Sequence, residues 1–364
     1  MNIKFYLFFS ACLMAIPALA QTVHLSGTVL DKETQEPVPS VVIYTDDENN
    51  ITLTDDKGYY NLEVHPSESV YFRQLAYDFF ETTADALHAN STIYLTRNIV
   101  ELSEVIVSPY YAQNIVDKAF QDLTAHLLLK KPIPYLVHIE ETTTKGGARE
   151  VYALLDIALS KINKKRGTFD WNIQLARLDN IKMINESDFY TKKRNSVALE
   201  LFPHRISTSP DWNNFTCEIQ DINEDQFVIK VSPKHLDKNH FKYNLFTINK
   251  QDTILTEIIS QSYANASELT LKKINGVDWQ ITNQYSRINF IQEEKSGLYY
   301  IKDYILLGNL RVLSESPYDI SLKTTASARK NLPDNPVNTK KKIKPYDYFL
   351  FQSDFPNSPG FWKQ

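Results

Sequence analysis

Short runs in which apolar and polar residues alternate dominate the first hundred or so residues of the chain. A period of two is typical of β-strands that bury one face. Polar turns separate the runs, among them Asp55-Asp56-Lys57-Gly58, where glycine can take a positive φ. The pattern predicts strands at residues 23–30, 41–45, 51–54, 59–64, 70–75, 92–95 and 105–107. This number of short strands in so short a stretch indicates a seven-stranded β-sandwich.

A helical period interrupts the strand pattern after residue 107. Ser108 can cap a helix and Pro109 suits its first turn. Apolar residues then recur at helical spacing, at Ile115, Val116, Ala119, Phe120, Leu123 and Leu127. Lys130-Lys131 and two prolines follow, so the pattern predicts a helix that ends there and packs one face on a sheet.

Strand-like segments return beyond this helix, and Asn275-Gly276 is a hairpin signal between two of them. The segments are 135–142, 172–181, 227–231, 253–261, 268–274, 279–290 and 301–312. One helix and a long antiparallel meander predict an α+β domain with a curved sheet. We therefore expect a mainly β protein with an α+β second domain. Its parts are a signal peptide (1–20), a β-sandwich (21–107), the α+β domain (108–323) and a Pro/Lys-rich tail (324–364).

The N-terminal residues have the order of a secretory signal. Lys4 precedes an apolar run, and Ala18-Leu19-Ala20 supplies a small-x-small cleavage pattern before Gln21. A lipoprotein signal at Phe9-Ser10-Ala11-Cys12 is the alternative. Pro17 interrupts the run, which is too short for a membrane anchor. The pattern predicts an exported protein, periplasmic or associated with the outer membrane, and peripheral rather than transmembrane.

Charge is distributed unevenly along the chain, although the formal net charge is only −5. Residues 21–107 hold 15 acidic and 4 basic residues, whereas residues 108–364 hold 29 acidic and 34 basic residues. Opposite net charges in the two halves favour two domains. Basic and aromatic residues do not interleave in a patch, which argues against a nucleic-acid partner.

Motifs of the acidic half resemble a known family. They are Leu25-Ser26-Gly27-Thr28-Val29-Leu30-Asp31, Thr34-Gln35-Glu36-Pro37-Val38-Pro39, Thr54-Asp55-Asp56-Lys57-Gly58-Tyr59-Tyr60-Asn61-Leu62, Leu75-Ala76-Tyr77 and Leu102-Ser103-Glu104-Val105-Ile106-Val107. Together they resemble the carboxypeptidase-regulatory-like domain common in exported Bacteroidota proteins. The family usually has Gly-Tyr where this chain has Ala76-Tyr77. The resemblance implies a transthyretin-like β-sandwich without catalytic residues of its own.

One segment has the spacing of a zinc site. His138-Ile139-Glu140-Glu141 matches an HxxE pattern, but its surroundings alternate like a strand, where residues three apart face opposite sides. A hydrolase would need a cleft in which His138 or His204 meets a carboxylate. His235 and His240 lack the spacing of one helical face. Nucleophile-elbow, P-loop and HExxH motifs do not occur.

Two further features are candidate sites. The acidic loops from Asp46 to Asp56 offer the hard oxygen ligands that Ca²⁺ prefers, without the spacing of an EF-hand, so solvated turns are the simpler interpretation. Cys217 alternates within a strand-like segment, which favours a structural role. We expect no catalytic, cofactor-binding or metal site.

These features predict a non-enzymatic, exported cell-envelope protein with a protein-interaction or scaffold role at the outer membrane. The alternative is a carrier of a lipid or small ligand. It would use the concave face of the second sheet, in a cavity lined by alternate residues of 253–261 and 279–290.

Overall fold

The chain forms two compact units, residues 1–104 (unit 1) and residues 105–364 (unit 2). The computed structural model describes residues 22–46, 50–98, 109–144, 148–163, 168–184, 209–222, 224–235, 240–264, 272–274, 277–313, 316–329 and 341–343.

Unit 1 contains seven described strands in two small sheets. The strands are β1 (Val23–Asp31), β2 (Val42–Thr45), β3 (Ile51–Leu53), β4 (Tyr59–Val64), β5 (Ser69–Arg73), β6 (Phe80–Thr83) and β7 (Thr92–Leu95). One sheet has the order β4-β1-β7, in which β7 runs parallel to β1. The other has the order β3-β2-β5-β6 and is antiparallel.

The two sheets of unit 1 enclose one apolar core, as a β-sandwich requires. Alternate residues of most strands point inward, including Val29 on β1, Ile43 on β2 and Phe72 on β5. Tyr60 and Phe72 meet edge to face with ring centroids 5.6 Å apart. A short helix, α1 (Ala84–Ala89), adds Ala84 and Leu87 to this core.

The strand predictions for unit 1 are confirmed within a residue or two, except that residues 105–107 lie outside the described residues. The short strand β6 and helix α1 were not predicted. β6 reads Phe-Glu-Thr-Thr, a four-residue segment with too few apolar positions to show a period.

Unit 2 is a helix, α2 (Pro109–Ala125), followed by a large antiparallel sheet. The sheet contains β8 (Ile133–Thr143), β9 (Ala148–Asn163), β10 (Thr168–Ile184), β11 (Phe215–Ile222), β12 (Gln226–Pro233), β13 (His240–Asn249), β14 (Leu255–Ala264), β15 (Lys272–Ile274), β16 (Val277–Gln292), β17 (Tyr299–Leu313), β18 (Tyr318–Ala328) and β19 (Lys341–Ile343). The strand order is β11-β12-β13-β14-β16-β17-β18-β8-β9-β10-β19, and β15 pairs with β16. Because β18 pairs with β8, the end of the meander returns beside its beginning.

The apolar stripe of α2 packs on one side of this sheet, as the helical period predicts. Val116, Ala119 and Leu123 are fully buried against residues at alternate positions of the strands, such as Ile258 on β14 and Ile288 on β16. Phe120 meets Phe246 of β13 edge to face at 5.3 Å.

Two predicted boundaries of unit 2 are wrong. The helix ends at Ala125, before Lys130-Lys131, because Leu127 and Leu129 form β-bridges to Tyr299 and Leu159. The region assigned to the tail also contributes to the sheet, because β18 extends to Ala328 and β19 pairs with β10. In the described part of the chain, no helix is both long and apolar enough to cross a membrane.

Candidate functional site

Three aromatic side chains contact one another on the outer side of the four-stranded sheet of unit 1. Ile43 and Phe72 point into the core, so their neighbours Tyr44 and Tyr71 face outward on paired strands. The ring centroids of Tyr44 and Tyr71 are 5.3 Å apart, and those of Tyr71 and Phe79 are 5.7 Å apart with an angle of 23° between the rings. Phe79 is 57% exposed. We call Tyr44, Tyr71 and Phe79 the aromatic strip.

Carboxylates border the aromatic strip. The Tyr71 hydroxyl donates a hydrogen bond to Asp46, and Glu81 lies directly opposite Tyr71 on β6. The hydrogen bond to Asp46 raises the pKa of Tyr71, and the negative charges of Asp46 and Glu81 add to the effect. Arg73 is the single basic residue in β2, β3, β5 and β6. The strip therefore offers exposed ring faces in an electronegative setting.

A second cluster of polar side chains, around Asp31 at the end of β1, has a structural role. The buried Asp31 carboxylate accepts hydrogen bonds from the backbone N–H groups of Glu33 and Thr34, the Tyr77 hydroxyl and Arg97 Nε. The hydrogen bond from Thr34, followed by that from Arg97, holds the pKa of Asp31 far below its usual value. The cluster joins three loops at one end of the sandwich. All four of these hydrogen-bond donors are residues of unit 1 itself. We therefore infer that the Asp31 carboxylate stabilises the fold of this unit.

A small apolar pocket lies in unit 2 beneath the segment that follows α2. Residues 126–131, which we call the strap, are held by hydrogen bonds from Leu128 N to Tyr299 O (2.8 Å) and from Lys130 N to Leu159 O (2.7 Å). The pocket below has a volume of about 20 Å³, and its walls include Ile157, Phe290 and Ile301. This is space for roughly one water molecule.

One face of the two segments expected to line the carrier cavity packs against α2. Ile258 and Ile288, from the two segments expected to line it, pack into the core formed with α2. Of those segments, Phe290 alone lines the described pocket. The helix covers one side of the sheet, and Ile259 and Tyr285 on the other side of the same segments are also buried.

The structure does not bring the HxxE residues together. On β8, His138 Nδ1 lies 3.3 Å from Glu140 Oε1, whereas position 141 is on the opposite face of the strand. His240 begins β13, His235 is exposed, and residue 204 lies outside the described residues. Among the described residues, no group of three His, Cys, Asp or Glu side chains could hold a metal ion.

The acidic loops are only partly described. Asp55 Oδ1 accepts hydrogen bonds from the backbone N–H groups of Lys57 (2.9 Å) and Tyr59 (2.8 Å), which closes the turn before β4. Gly58 has φ +70° there, as predicted. Residues 47–49 lie outside the described residues, so calcium binding by these loops stays untested.

Sequence reasoning did not single out the aromatic strip. Its signal is the phase of the alternation: when Ile43 and Phe72 are inward, Tyr44 and Tyr71 must be outward. Phe79 precedes β6, where no period exists, and only the fold places it beside Tyr71.

Comparison with known proteins identifies a domain that covers most of unit 1. Residues 25–107 match the family model described as CarboxypepD_reg-like domain, so this part of the chain carries such a domain. Domains of this family are regulatory and non-catalytic. No curated protein sequence matches the chain.

Three solved structures match about three-fifths of the chain at low identity. A putative outer membrane lipoprotein-sorting protein domain from Vibrio parahaemolyticus shares 8% identity and a TM-score of 0.28, covering 64% of this chain and 97% of its own. A LolA superfamily protein from Nitrosomonas europaea shares 12% identity and a TM-score of 0.23, covering 61% and 94%. The S-type phycobiliprotein lyase from Guillardia theta shares 6% identity and a TM-score of 0.23, covering 61% and 99%. TM-scores this low establish no common fold.

Proposed function

We propose that this chain is a non-enzymatic, exported cell-envelope protein that binds another protein through the aromatic strip of unit 1. The observation that carries the proposal is the stack of Tyr71 on Phe79, which faces away from the core of its own domain. The CarboxypepD_reg-like match supports a non-catalytic role for unit 1. The signal-like N-terminus supports export, and the motif resemblance supports a Bacteroidota envelope with a peripheral site at the outer membrane.

Exposed aromatic rings of this kind suit an interface. Tyr and Phe supply large, rigid contact area at a low entropic cost, and they are enriched in the centres of protein interfaces. Burying an exposed phenylalanine side chain in an interface contributes about 2 kcal/mol to the free energy of binding. The strip can therefore anchor a partner.

Site-specific photo-crosslinking in intact cells tests this function. A photoreactive amino acid replaces Phe79 in one variant and Tyr94 in another. Tyr94 is a matched control, because it is 44% exposed on β7 of the other sheet and belongs to no aromatic stack described here. We expect a discrete protein adduct from position 79 and none from position 94. An absence of adducts, or the same adducts from both positions, would contradict the proposal.

The carrier alternative is favoured by one different observation, the apolar pocket beneath the strap. A ligand larger than water would require the strap to move, which breaks its bridges to Tyr299 and Leu159. Native mass spectrometry of the protein from its own envelope fraction, before and after organic extraction, tests this alternative. A lipid-sized mass that extraction removes would support a carrier, and the mass of the bare chain in both samples would count against it.

A further inference from the structure

We propose that the aromatic strip binds a cationic peptide segment of the partner, seating lysine or arginine side chains on the exposed ring faces beside Asp46 and Glu81. The inference rests on the proposed function, since it names the chemistry that the same surface recognises.

The ring faces supply the first part of the argument. An aromatic ring carries partial negative charge on its faces, so an ammonium or guanidinium group is attracted to it. The rings of Tyr71 and Phe79 are inclined by only 23° with centroids 5.7 Å apart, so Phe79 stacks on Tyr71 and carries the most exposed ring surface of the strip. Phe79, the more exposed member, has no hydroxyl and offers only its ring.

Charge complementarity supplies the second part. Asp46 is held at the strip by Tyr71, Glu81 lies opposite Tyr71 on β6, and Asp78 precedes Phe79 and is exposed. Residues 21–107 contain 15 acidic and only 4 basic residues. An anionic occupant would be repelled, and an apolar one would desolvate these carboxylates without pairing them. A cationic segment can form cation–π contacts with the rings and ion pairs with the carboxylates.

Arg73 provides a substitution that should strengthen binding, where the loss of a strip residue should weaken it. It ends β5, faces the same side of the sheet as Tyr71, and is exposed. Its positive charge opposes a cationic occupant at that end of the strip. Removing the charge should therefore strengthen binding, whereas loss of the folded strip would weaken it.

The experiment titrates the full chain against a fluorescein-labelled hexalysine peptide and follows fluorescence anisotropy, with hexaserine as the neutral probe. We expect Phe79→Ala to weaken binding about fivefold, the size of one or two exposed cation–π contacts. Tyr71→Phe keeps the ring and should retain most of the affinity. Arg73→Gln should tighten binding about twofold, and added salt should weaken it, because exposed charges are screened. Tyr94→Ala is the matched control and should leave the affinity unchanged.

The outcomes separate the occupant from the function. Hexalysine binding that is equal in wild type, Phe79→Ala and Tyr94→Ala would show attraction to the overall charge without a site, and would overturn the inference. No hexalysine binding, together with a protein adduct at position 79, would overturn the cationic occupant and leave the proposed function standing. If hexalysine does not bind and position 79 yields no protein adduct, both proposals are wrong.

Discussion

The Tyr77 hydroxyl donates a hydrogen bond of 2.9 Å to Asp31 Oδ2, across 46 residues of sequence. Both residues belong to motifs that resemble the carboxypeptidase-regulatory-like family, and Arg97 Nε reaches the same oxygen. The contact explains why a motif at the first strand and a motif after the fifth strand occur in one domain. They form the two sides of a single buried cluster.

Replacing Asp31 should destabilise unit 1. Asp31→Asn removes the negative charge of a carboxylate that accepts four hydrogen bonds. We expect the free energy of unfolding to fall by about 2 kcal/mol. Tyr77→Phe removes one of these bonds and should cost about 1 kcal/mol. Hydrogen exchange of peptides from residues 25–97 measures both. Unchanged exchange in Asp31→Asn would show that the cluster contributes little.

The same carboxylate should make unit 1 sensitive to acid. The pKa of Asp31 is lower in the folded unit than its usual value of about 3.9 in an unfolded chain. Its contribution is therefore complete above the unfolded value and is lost as the pH falls below that value toward the folded pKa. Hydrogen exchange at decreasing pH should show wild type losing its advantage over Asp31→Asn. A difference that stays constant down to about pH 2 would contradict this linkage.

Two glycines with nearly equal φ should respond differently to a methyl group. Gly58 has φ +70°, and an added Cβ would lie 2.4 Å from the carbonyl oxygen of Val29. Gly297 has φ +69°, and its nearest atom would be Gln292 Nε2 at 3.6 Å. Gly297→Ala should cost about 1 kcal/mol for the left-handed conformation alone, and Gly58→Ala about 3 kcal/mol, because the backbone must also move.

Separate probes are needed for these two variants. Trp171, Trp212, Trp279 and Trp362 all fall in unit 2, so tryptophan fluorescence during urea unfolding reports on Gly297→Ala. Hydrogen exchange of the peptide around residue 58 reports on Gly58→Ala. Equal losses in the two variants would mean that the clash with Val29 is relieved cheaply.

The thiol of Cys217 should react slowly. Burial raises its pKa to about 11, and the negative charge of Asp117 adds to the shift. Since the thiolate is the reactive form, iodoacetamide should label the Cys217 peptide slowly at about pH 8. Asp117→Asn keeps an acceptor for Trp212 Nε1, which lies 2.8 Å from Asp117 Oδ1, but removes the charge, so labelling should accelerate.

Mass spectrometry of the labelled peptide measures this rate. The labelling rate in urea should be equal in wild type and Asp117→Asn, because the folded environment of the thiol is lost on unfolding. Equal labelling of the folded wild type and of Asp117→Asn would exclude the effect of the charge.

The order of elements could be predicted from the sequence because strands and helices with one buried face impose their own period. The alternation around Val29, Ile43 and Phe72 predicts strands that the structure contains, and the stripe from Val116 to Leu123 predicts α2. Gly58 in its turn could also be predicted, since the steric freedom of glycine is a local property. These features depend on residues close together in the chain.

Only the tertiary structure decided which distant residues meet. It ended α2 at Ala125 by pairing Leu127 with Tyr299, paired β19 with β10, and packed α2 against Ile258 and Ile288. It also placed Phe79 on Tyr71 and Tyr77 on Asp31. Local periodicity states which face of a strand is buried, but pairing between strands and packing between layers depend on contacts across the whole chain. Which buried faces pack together, and the position of Phe79 on the strip, are therefore decided by long-range contacts that no local pattern contains.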